Sequence, residues 1–222
     1  KGSCAHPCRF SYALVEEKRP GEYYPVEEDG RGTYIFNSKD LCLLEKLPQL
    51  VAAGVDSLKI EGRMKSIFYV GGVVWIYRAA LDYLGGLPEK AWDTPEKILI
   101  PKEFIDELQR SVTMGATENF ILQPPGSDEM IYSSSRAEQL YEPVAVIRQA
   151  GDIPLVEIRN TILPGEAIEC MLQGVELVPV TITAMHDEEG RIIDKANPGN
   201  MVSLTTEPKL AIAPVNTILR RE

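Results

Sequence analysis

The stretch that decides the fold runs from residue 53 to residue 66 and reads AGVDSLKIEGRMKS. Its first part, residues 55–60, reads VDSLKI and predicts a short strand. Residues 61–65 follow as a charged loop, and Ser66 is a candidate N-cap for a helix. A strand followed by a loop and a helix is the order found in parallel α/β sheets.

Helices are predicted on both sides of this stretch. Upstream, Asn37 and Ser38 offer an N-cap, Pro48 is expected where one helix ends and a short one begins, and Gly54 is expected to end it. Apolar residues at helical spacing support this helix, namely Leu41, Leu44, Leu47, Leu50 and Val51. The order in residues 1–90 is therefore helix, strand, loop and helix.

The downstream helix is predicted to begin after Ser66 and to end at Gly85 and Gly86. Its apolar face is predicted to carry Ile67, Val70, Val74, Tyr77 and Leu81. The pair Gly71-Gly72 lies inside this pattern and is interpreted as a packing contact. A further helix is predicted over residues 103–112, and residues 118–139 are expected to form an irregular connector.

The pattern changes after residue 140, where short apolar or alternating runs are separated by turn residues such as Gly151 and Gly190. These runs cover residues 143–147, 155–158, 167–171, 178–182, 201–204 and 216–219. Six short strands in so few residues predict a small antiparallel β-barrel.

The expected fold class is α/β plus all-β. A (β/α)₈ barrel needs about 250 residues, and the first part of this chain offers only a few βα units. We therefore expect residues 1–90 to be the C-terminal part of a truncated TIM-like barrel. Residues 91–140 are expected to be a helical segment and connector, and residues 141–222 a small β-barrel domain.

Composition narrows the functional classes. The 222 residues carry a formal net charge of -10, which on average repels nucleic-acid backbones without excluding a local basic cleft. The sequence has no run of eighteen apolar residues, so no membrane span is expected. It begins at Lys1 without an apolar signal segment or an initiator Met, so we expect a cytoplasmic protein and a piece of a longer chain.

The four cysteines are Cys4, Cys8, Cys42 and Cys170. Thiolates are soft ligands for zinc and iron–sulfur clusters, and the first three together supply up to three thiolates, where a [4Fe–4S] cluster normally takes four. Cys42 is expected just inside a helix start, where the backbone dipole lowers the pKa of a thiol. The alternative is that these cysteines are buried and inert. Cys170 is predicted to be a core residue of the β domain.

A second candidate site is the charged loop, in which Lys59, Arg63 and Lys65 supply three cations and Glu61 supplies one carboxylate. In barrels of the expected kind, active groups lie at the carboxyl ends of strands. Three cations there fit an anionic substrate such as a carboxylate or a phosphate. The alternative is a solvated charged loop.

The sequence lacks the motifs of several other enzyme classes, including classical hydrolases. Gly-x-Ser-x-Gly and His-Glu-x-x-His are both absent from the sequence, as are phosphate-loop and dinucleotide-binding motifs.

Several segments closely resemble the peptidase U32 family, the collagenase-like proteins that include prephenate-dependent tRNA uridine hydroxylation proteins. These segments are GSCAHPCR at residues 2–9, EEKRPGEYYPVEEDGRGTYIFNSKDLC at residues 16–42, and AGVDSLKIEGRMKS at residues 53–66. The run GEAIECM, at residues 165–171, and the run VTITAMHDEEGRIIDKANPG, at residues 180–199, look like the β-barrel that this family carries at its C-terminus.

The resemblance implies a TIM-like barrel followed by the β domain. It also implies a [4Fe–4S] cluster with Cys4 and Cys42 as two ligands, Cys8 in a less defined role, and the remaining ligands outside this chain. A fragment with two ligands missing is not expected to hold an intact cluster.

Three functions follow from these features. The first is prephenate-dependent 5-hydroxylation of the tRNA wobble uridine by the full-length protein. In that reading Lys59, Arg63 and Lys65 bind an anionic group of prephenate or RNA, and Glu61 and Arg63 are the candidate catalytic residues. The second is a peptidase, and the third is a non-enzymatic module whose β-barrel docks a protein partner. Residues 141–222 hold 12 acidic and 7 basic residues, which weakens a nonspecific grip on RNA.

Overall fold

The computed structural model describes residues 26–29, 32–35, 37–63, 65–111, 116–118, 130–131, 141–211 and 213–222. The chain divides into two compact units. One contains residues 1–43 and 112–138, and the other contains residues 44–111 and 139–222. The second unit therefore combines the helices of the middle of the chain with the C-terminal strands.

The first unit contains short strand pairs. Strands β1 (Val26–Asp29) and β2 (Gly32–Ile35) form an antiparallel hairpin. Strand β3 (Asn37–Ser38) pairs antiparallel with β6 (Met130–Ile131). Strand β4 (Asp40–Leu41) pairs with β5 (Ala116–Thr117), and this is the only parallel pairing among the described residues. The TIM-like barrel expected from the sequence is not shown by these strands.

The predicted N-cap at Asn37 and Ser38 is wrong, because both residues lie in β3. The helix begins later. A 3₁₀ turn at Leu44–Lys46 leads into α1 (Leu47–Ala52). Pro48 lies in the first turn of α1, where a missing N–H costs no hydrogen bond. Gly54 follows with a φ of 80°, a left-handed conformation that confirms its role in ending the helix.

The predicted strand at residues 55–60 is also wrong. These residues have no strand partner among the described parts of the chain, and Val55 is 44% exposed. A strand is held by ladder hydrogen bonds to its neighbours, so a segment without a neighbour forms no strand.

Helix α2 (Ile67–Gly85) forms as predicted. The Ser66 side chain accepts a hydrogen bond from the Tyr69 N–H at 3.1 Å, and Gly86 forms the C-cap. The predicted buried face is wrong, however, since Ile67 is 67% exposed and Val74 is 47% exposed. The buried positions are instead Phe68, Tyr69, Gly72, Val73, Ile76, Ala79, Ala80 and Leu84.

Helix α3 (Lys102–Ser111) packs against α2 and confirms the predicted helix in this region. A Cβ on Gly72 would lie 2.6 Å from the Ser111 Oγ, and one on Gly71 would lie 2.6 Å from the Ile218 Cδ1. Both glycines therefore allow close packing, as the sequence indicates. Helix α2 is long and apolar enough to pass a length-and-composition test for a membrane span, a test that the core helices of water-soluble folds also pass.

The C-terminal strands close into an antiparallel barrel, which confirms the predicted β-barrel. They are β7 (Glu142–Gln149), β8 (Leu155–Ile158), β9 (Ala167–Leu172), β10 (Glu176–His186), β11 (Ile192–Ile193), β12 (Met201–Glu207) and β13 (Ile218–Arg221). Around the barrel the order is β10, β12, β8, β7, β13 and β9, and β9 pairs again with β10. The short strand β11 adds to the end of β10 outside this ring.

The barrel has its own apolar core, because alternate residues of each strand point inward. Ile147, Ile158 and Leu219 are among the fully buried members. The helices cover part of the outer wall, where Phe68 of α2 packs with Tyr141 and Met171. The indole Nε1–H of Trp75 donates a hydrogen bond to the Leu172 carbonyl. Helices and barrel thus pack together within the second unit.

Candidate functional site

The charged loop connects α1 to α2 in the second unit. Lys59, Glu61 and Arg63 are exposed, and Lys65 is half-buried. The Glu61 Oε1 accepts a hydrogen bond from the Arg63 backbone N–H at 2.9 Å, and the Gly62 carbonyl accepts one from the Lys65 N–H at 2.9 Å. These bonds give the loop a defined turn.

Two contacts hold this turn against the start of α2. The Lys65 Nζ lies 4.5 Å from the centre of the Tyr69 ring, within the range of a cation–π interaction. A Cβ on Gly62 would lie 2.4 Å from the Val70 Cγ2, so the loop backbone approaches the helix as closely as a glycine allows.

The charged loop precedes the positive end of a helix dipole in the sequence. Helix α2 is 19 residues long and begins directly after Ser66. Lys65 and Arg63 precede Ile67 by two and four residues, and Lys59 precedes it by eight. The helix dipole and the nearest of these charges both favour an anion. The predicted cationic residues are therefore close together in sequence and precede one helix terminus.

The cysteine site is described only at Cys42, because Cys4 and Cys8 lie outside the described residues. Cys42 follows β4, and its N–H donates to the Thr117 carbonyl at 2.8 Å. The side chain is half-buried. The expected position just inside a helix start is wrong, since α1 begins at Leu47.

No group of three or more His, Cys, Asp or Glu side chains forms a metal-binding arrangement within the described parts of the chain. The proposed cluster therefore has a single described ligand candidate, Cys42, whose thiol chemistry suits iron.

Cys170 is confirmed as a core residue of the barrel. It is fully buried, and burial raises the pKa of its thiol to about 11. A thiol in this environment is a poor nucleophile and a poor metal ligand at neutral pH.

The arginines of the barrel that lie outside the helix contact are paired with carboxylates. Arg148 Nη2 lies 2.7 Å from Glu157 Oε2, and Arg159 Nη2 lies 3.0 Å from Glu157 Oε1. The hydrogen bond from Arg148, with the charge of Arg159, lowers the pKa of Glu157 below its ordinary value. Arg221 pairs in the same way with Glu142 and Glu166. Such pairing leaves little free positive charge for RNA on these residues.

One buried polar cluster was missed by the sequence analysis. Arg220 is fully buried, with Nη1 2.8 Å from Glu107 Oε2, Nε 2.8 Å from Glu169 Oε2, and its guanidinium carbon 4.4 Å from the Tyr141 ring centre. Arg110 also pairs with Glu107. The only sequence signal is a charged pair, Arg220-Arg221, that ends an apolar strand. Its contacts join α3 to the barrel, which indicates a structural role.

Comparison with known proteins gives two matches to family models that together cover nearly the whole chain. The model of peptidase family U32 matches residues 1–131, and the model of the peptidase family U32 C-terminal domain matches residues 140–220. The second match corresponds to the barrel described above.

Three curated relatives extend this comparison. The tRNA hydroxylation protein P1 of Bacillus subtilis is 30% identical over 95% of this chain, and the match covers 49% of that protein. The tRNA hydroxylation protein P of Escherichia coli is 34% identical over 72% of this chain and 34% of that protein. An uncharacterized protease of Methanocaldococcus jannaschii is 43% identical over 36% of this chain and 19% of that protein. The chain thus spans about half the length of the first relative, and less of the others.

Proposed function

Because this chain belongs to the peptidase U32 family, we propose that the protein carrying it acts in prephenate-dependent 5-hydroxylation of the wobble uridine of tRNA. One observation supports this most. Similarity to a tRNA hydroxylation protein extends over 95% of the chain, so it includes both family regions rather than a shared fragment. In this proposal the protein acts in the cytoplasm.

In this proposal the charged loop binds an anionic group, either a carboxylate of prephenate or a phosphate of tRNA. Lys59, Arg63 and Lys65 supply the positive charge. Arg63 contacts the reacting molecule, and Glu61 positions it through the 2.9 Å hydrogen bond to the Arg63 N–H. The turn therefore presents the cations before substrate arrives, which lowers the entropy cost of binding.

We also propose a [4Fe–4S] cluster as the cofactor of the full-length protein, with Cys4 and Cys42 as ligands. Cys8 belongs to the same motif and has a less defined role, and the remaining ligands come from residues outside this chain. Such a cluster supplies one-electron chemistry. Cys42 is half-buried after a short strand, a position that shields a ligand from solvent.

The loop assignment is tested in a strain that lacks the gene and carries variants of the full-length protein. Arg63→Ala and Lys59→Ala are expected to lower tRNA 5-hydroxyuridine by about tenfold or more, because each removes a charge-assisted contact. Mass spectrometry of digested tRNA measures the nucleoside. Lys90→Ala is the matched control, since Lys90 is an exposed lysine outside the loop. Equal effects of all three variants would refute the loop as the anion site.

A peptidase is the second candidate, and the similarity to the M. jannaschii protease favours it. It predicts cleavage of gelatin or a peptide by the purified full-length protein. Loss of cleavage in Cys4→Ser or Glu61→Gln variants would separate this activity from a contaminant. Unchanged cleavage in both variants would exclude Cys4 and Glu61 as the residues responsible for it.

The closed barrel also supports a docking role, because it has a continuous core of its own. In this reading the chain is a non-enzymatic module, and its barrel docks a protein partner. A pull-down with residues 141–222 tests this role, and recovery of no partner that the full-length protein recovers would contradict it.

A further inference from the structure

A cleft of about 390 Å³ lies between the C-terminal end of α2 and the segment that follows it. Its walls are Tyr83 of α2 and residues from the segment 87–99, which forms two 3₁₀ turns at Glu89–Asp93 and Pro95–Lys97. This volume lies within the range of about 300–1,000 Å³ that is typical of small-molecule sites.

The walls of the cleft are held in place by local contacts. The Tyr83 ring packs edge-on against Phe104 of α3, with ring centres 6.4 Å apart. The Lys97 N–H donates to the Thr94 carbonyl at 3.0 Å, and the Ile98 N–H donates to the Pro95 carbonyl at 3.2 Å. The cleft is therefore formed before any ligand arrives.

Most of the lining is apolar and incompletely covered. Leu99 is 79% exposed, more than any other large apolar side chain in the described residues, and Tyr83 is 38% exposed. Leu87, Ala91 and Ile98 are half-buried. A ligand with an apolar body removes this surface from water, which favours its binding.

The charge of the lining is positive. Among the described residues that line the cleft, Lys97 is the only charged one, and Thr94 supplies a hydroxyl group. In the parts of the chain that the structure describes, the Lys97 side chain has no ion-pair partner. The neighbouring Asp93 and Glu96 are exposed and do not line the cleft.

We propose that this cleft binds a small organic acid that has an apolar body and a single carboxylate. The body lies against Leu87, Ile98 and Leu99, and the carboxylate pairs with the Lys97 ammonium. In the described chain, none of residues 59–65 lines the cleft, and its ligand does not depend on the proposed reaction.

The test is an NMR titration of the ¹⁵N-labelled chain with 3-phenylpropionate and with the uncharged 3-phenylpropanol. The acid is expected to bind in the millimolar range, because a shallow site gains little energy for each ligand atom. Backbone amides of Leu87, Ala91 and Ile98 are expected to shift. The alcohol is expected to bind about threefold to fivefold more weakly, as for loss of one exposed ion pair.

Three variants distinguish the contribution of the Lys97 charge from that of the apolar lining. Lys97→Met is expected to weaken binding of the acid by the same factor of about three to five and to leave binding of the alcohol unchanged. Lys90→Met, a matched exposed lysine outside the cleft, is expected to change neither. Leu99→Ser is expected to weaken binding of both probes. The proposal is overturned by equal affinities of acid and alcohol for the unmodified chain, by shifts confined to other residues, by equal effects of the two lysine variants, or by no saturable binding.

Discussion

At the scale of single residues, Arg220 is the most constrained charge that the structure describes. Its side chain is fully buried between Glu107 and Glu169, and it lies over the Tyr141 ring. Removing one partner from a buried ion pair leaves the other charge without compensation in a poorly solvated site. Glu107 is itself only 4% exposed, so its carboxylate depends on the guanidinium groups beside it.

We therefore expect Arg220→Met to lower the free energy of unfolding by about 3 kcal/mol, as found when buried pairs are broken. Urea denaturation followed by circular dichroism measures the change. Arg78→Met is the control, since Arg78 pairs with Asp82 on an exposed helix surface and its loss is expected to cost less than about 1 kcal/mol. Similar losses in both variants would contradict the structural role of the buried cluster.

Cys170 gives a prediction about pH. Burial raises the pKa of its thiol from 9.0 to about 11, so the folded state holds its proton where the unfolded state has lost it. The stability that this group contributes is complete below pH 9 and is lost as pH rises through the interval to about 11.

Stability measured against pH is therefore expected to fall less steeply between pH 9 and about 11 in Cys170→Ala than in the unmodified chain. The variant is less stable overall, so the comparison uses the slopes and not the absolute values. Peptide mapping after iodoacetamide treatment at pH 8 supplies an independent measure, with Cys170 labelled only after denaturation. Labelling of Cys170 in the folded chain would contradict its burial.

At the scale of elements, helix α2 has boundaries that could be predicted from the sequence and a buried face that could not. Its boundaries were predictable, because Ser66 and Gly85-Gly86 are local signals. Its buried face was not, since apolar residues occur on nearly every side of the helix. The contacts with α3 and the barrel decide which side is buried, and Ile67 and Val74 are left exposed.

Close packing of α2 leads to a prediction at Gly72. Alanine normally favours a helix over glycine by about 1 kcal/mol, but here its Cβ would lie 2.6 Å from the buried Ser111 Oγ. We expect Gly72→Ala to destabilise the chain by about 1–2 kcal/mol, because the overpacking cost exceeds the helix gain. Thermal denaturation measures the difference.

Gly85→Ala is the matched control for this prediction. An added Cβ at Gly85 meets nothing within 4 Å, so this variant is expected to be neutral or slightly stabilising. Stabilisation by Gly72→Ala to the same extent would show that α2 and α3 do not approach as closely as described.

The barrel strands formed as predicted, whereas the predicted strand at residues 55–60 did not. Burial alternates along β12, because one side of the strand faces the barrel core, so this strand could be predicted from the sequence. Residues 55–60 mix three apolar and three polar residues and have no neighbour to pair with in the described residues. Local composition can suggest a strand, whereas pairing depends on the rest of the fold.

The candidate site was predictable in part. The cluster of Lys59, Arg63 and Lys65 is visible in the sequence, because these residues are adjacent. Their attachment to α2 through Tyr69 and Val70 required the structure. The Arg220 cluster was not predictable, since Glu107, Tyr141 and Glu169 come together only when helix and barrel pack.

At the scale of the whole molecule, the chain spans about half of a relative whose similarity runs through both U32 regions. The second unit forms a packed body of helices and barrel. Its paired surface arginines weaken nonspecific charge attraction between the barrel and RNA. Recognition of tRNA is therefore expected to need the charged loop and the rest of the full-length protein.

The most direct test is the nucleoside composition of tRNA from a strain that lacks the gene encoding the full-length protein. Mass spectrometry is expected to show loss of wobble 5-hydroxyuridine, recovery with the unmodified gene, and no recovery with Cys42→Ser. Unchanged 5-hydroxyuridine in the deletion strain, with no second gene of this family present, would contradict the proposed function.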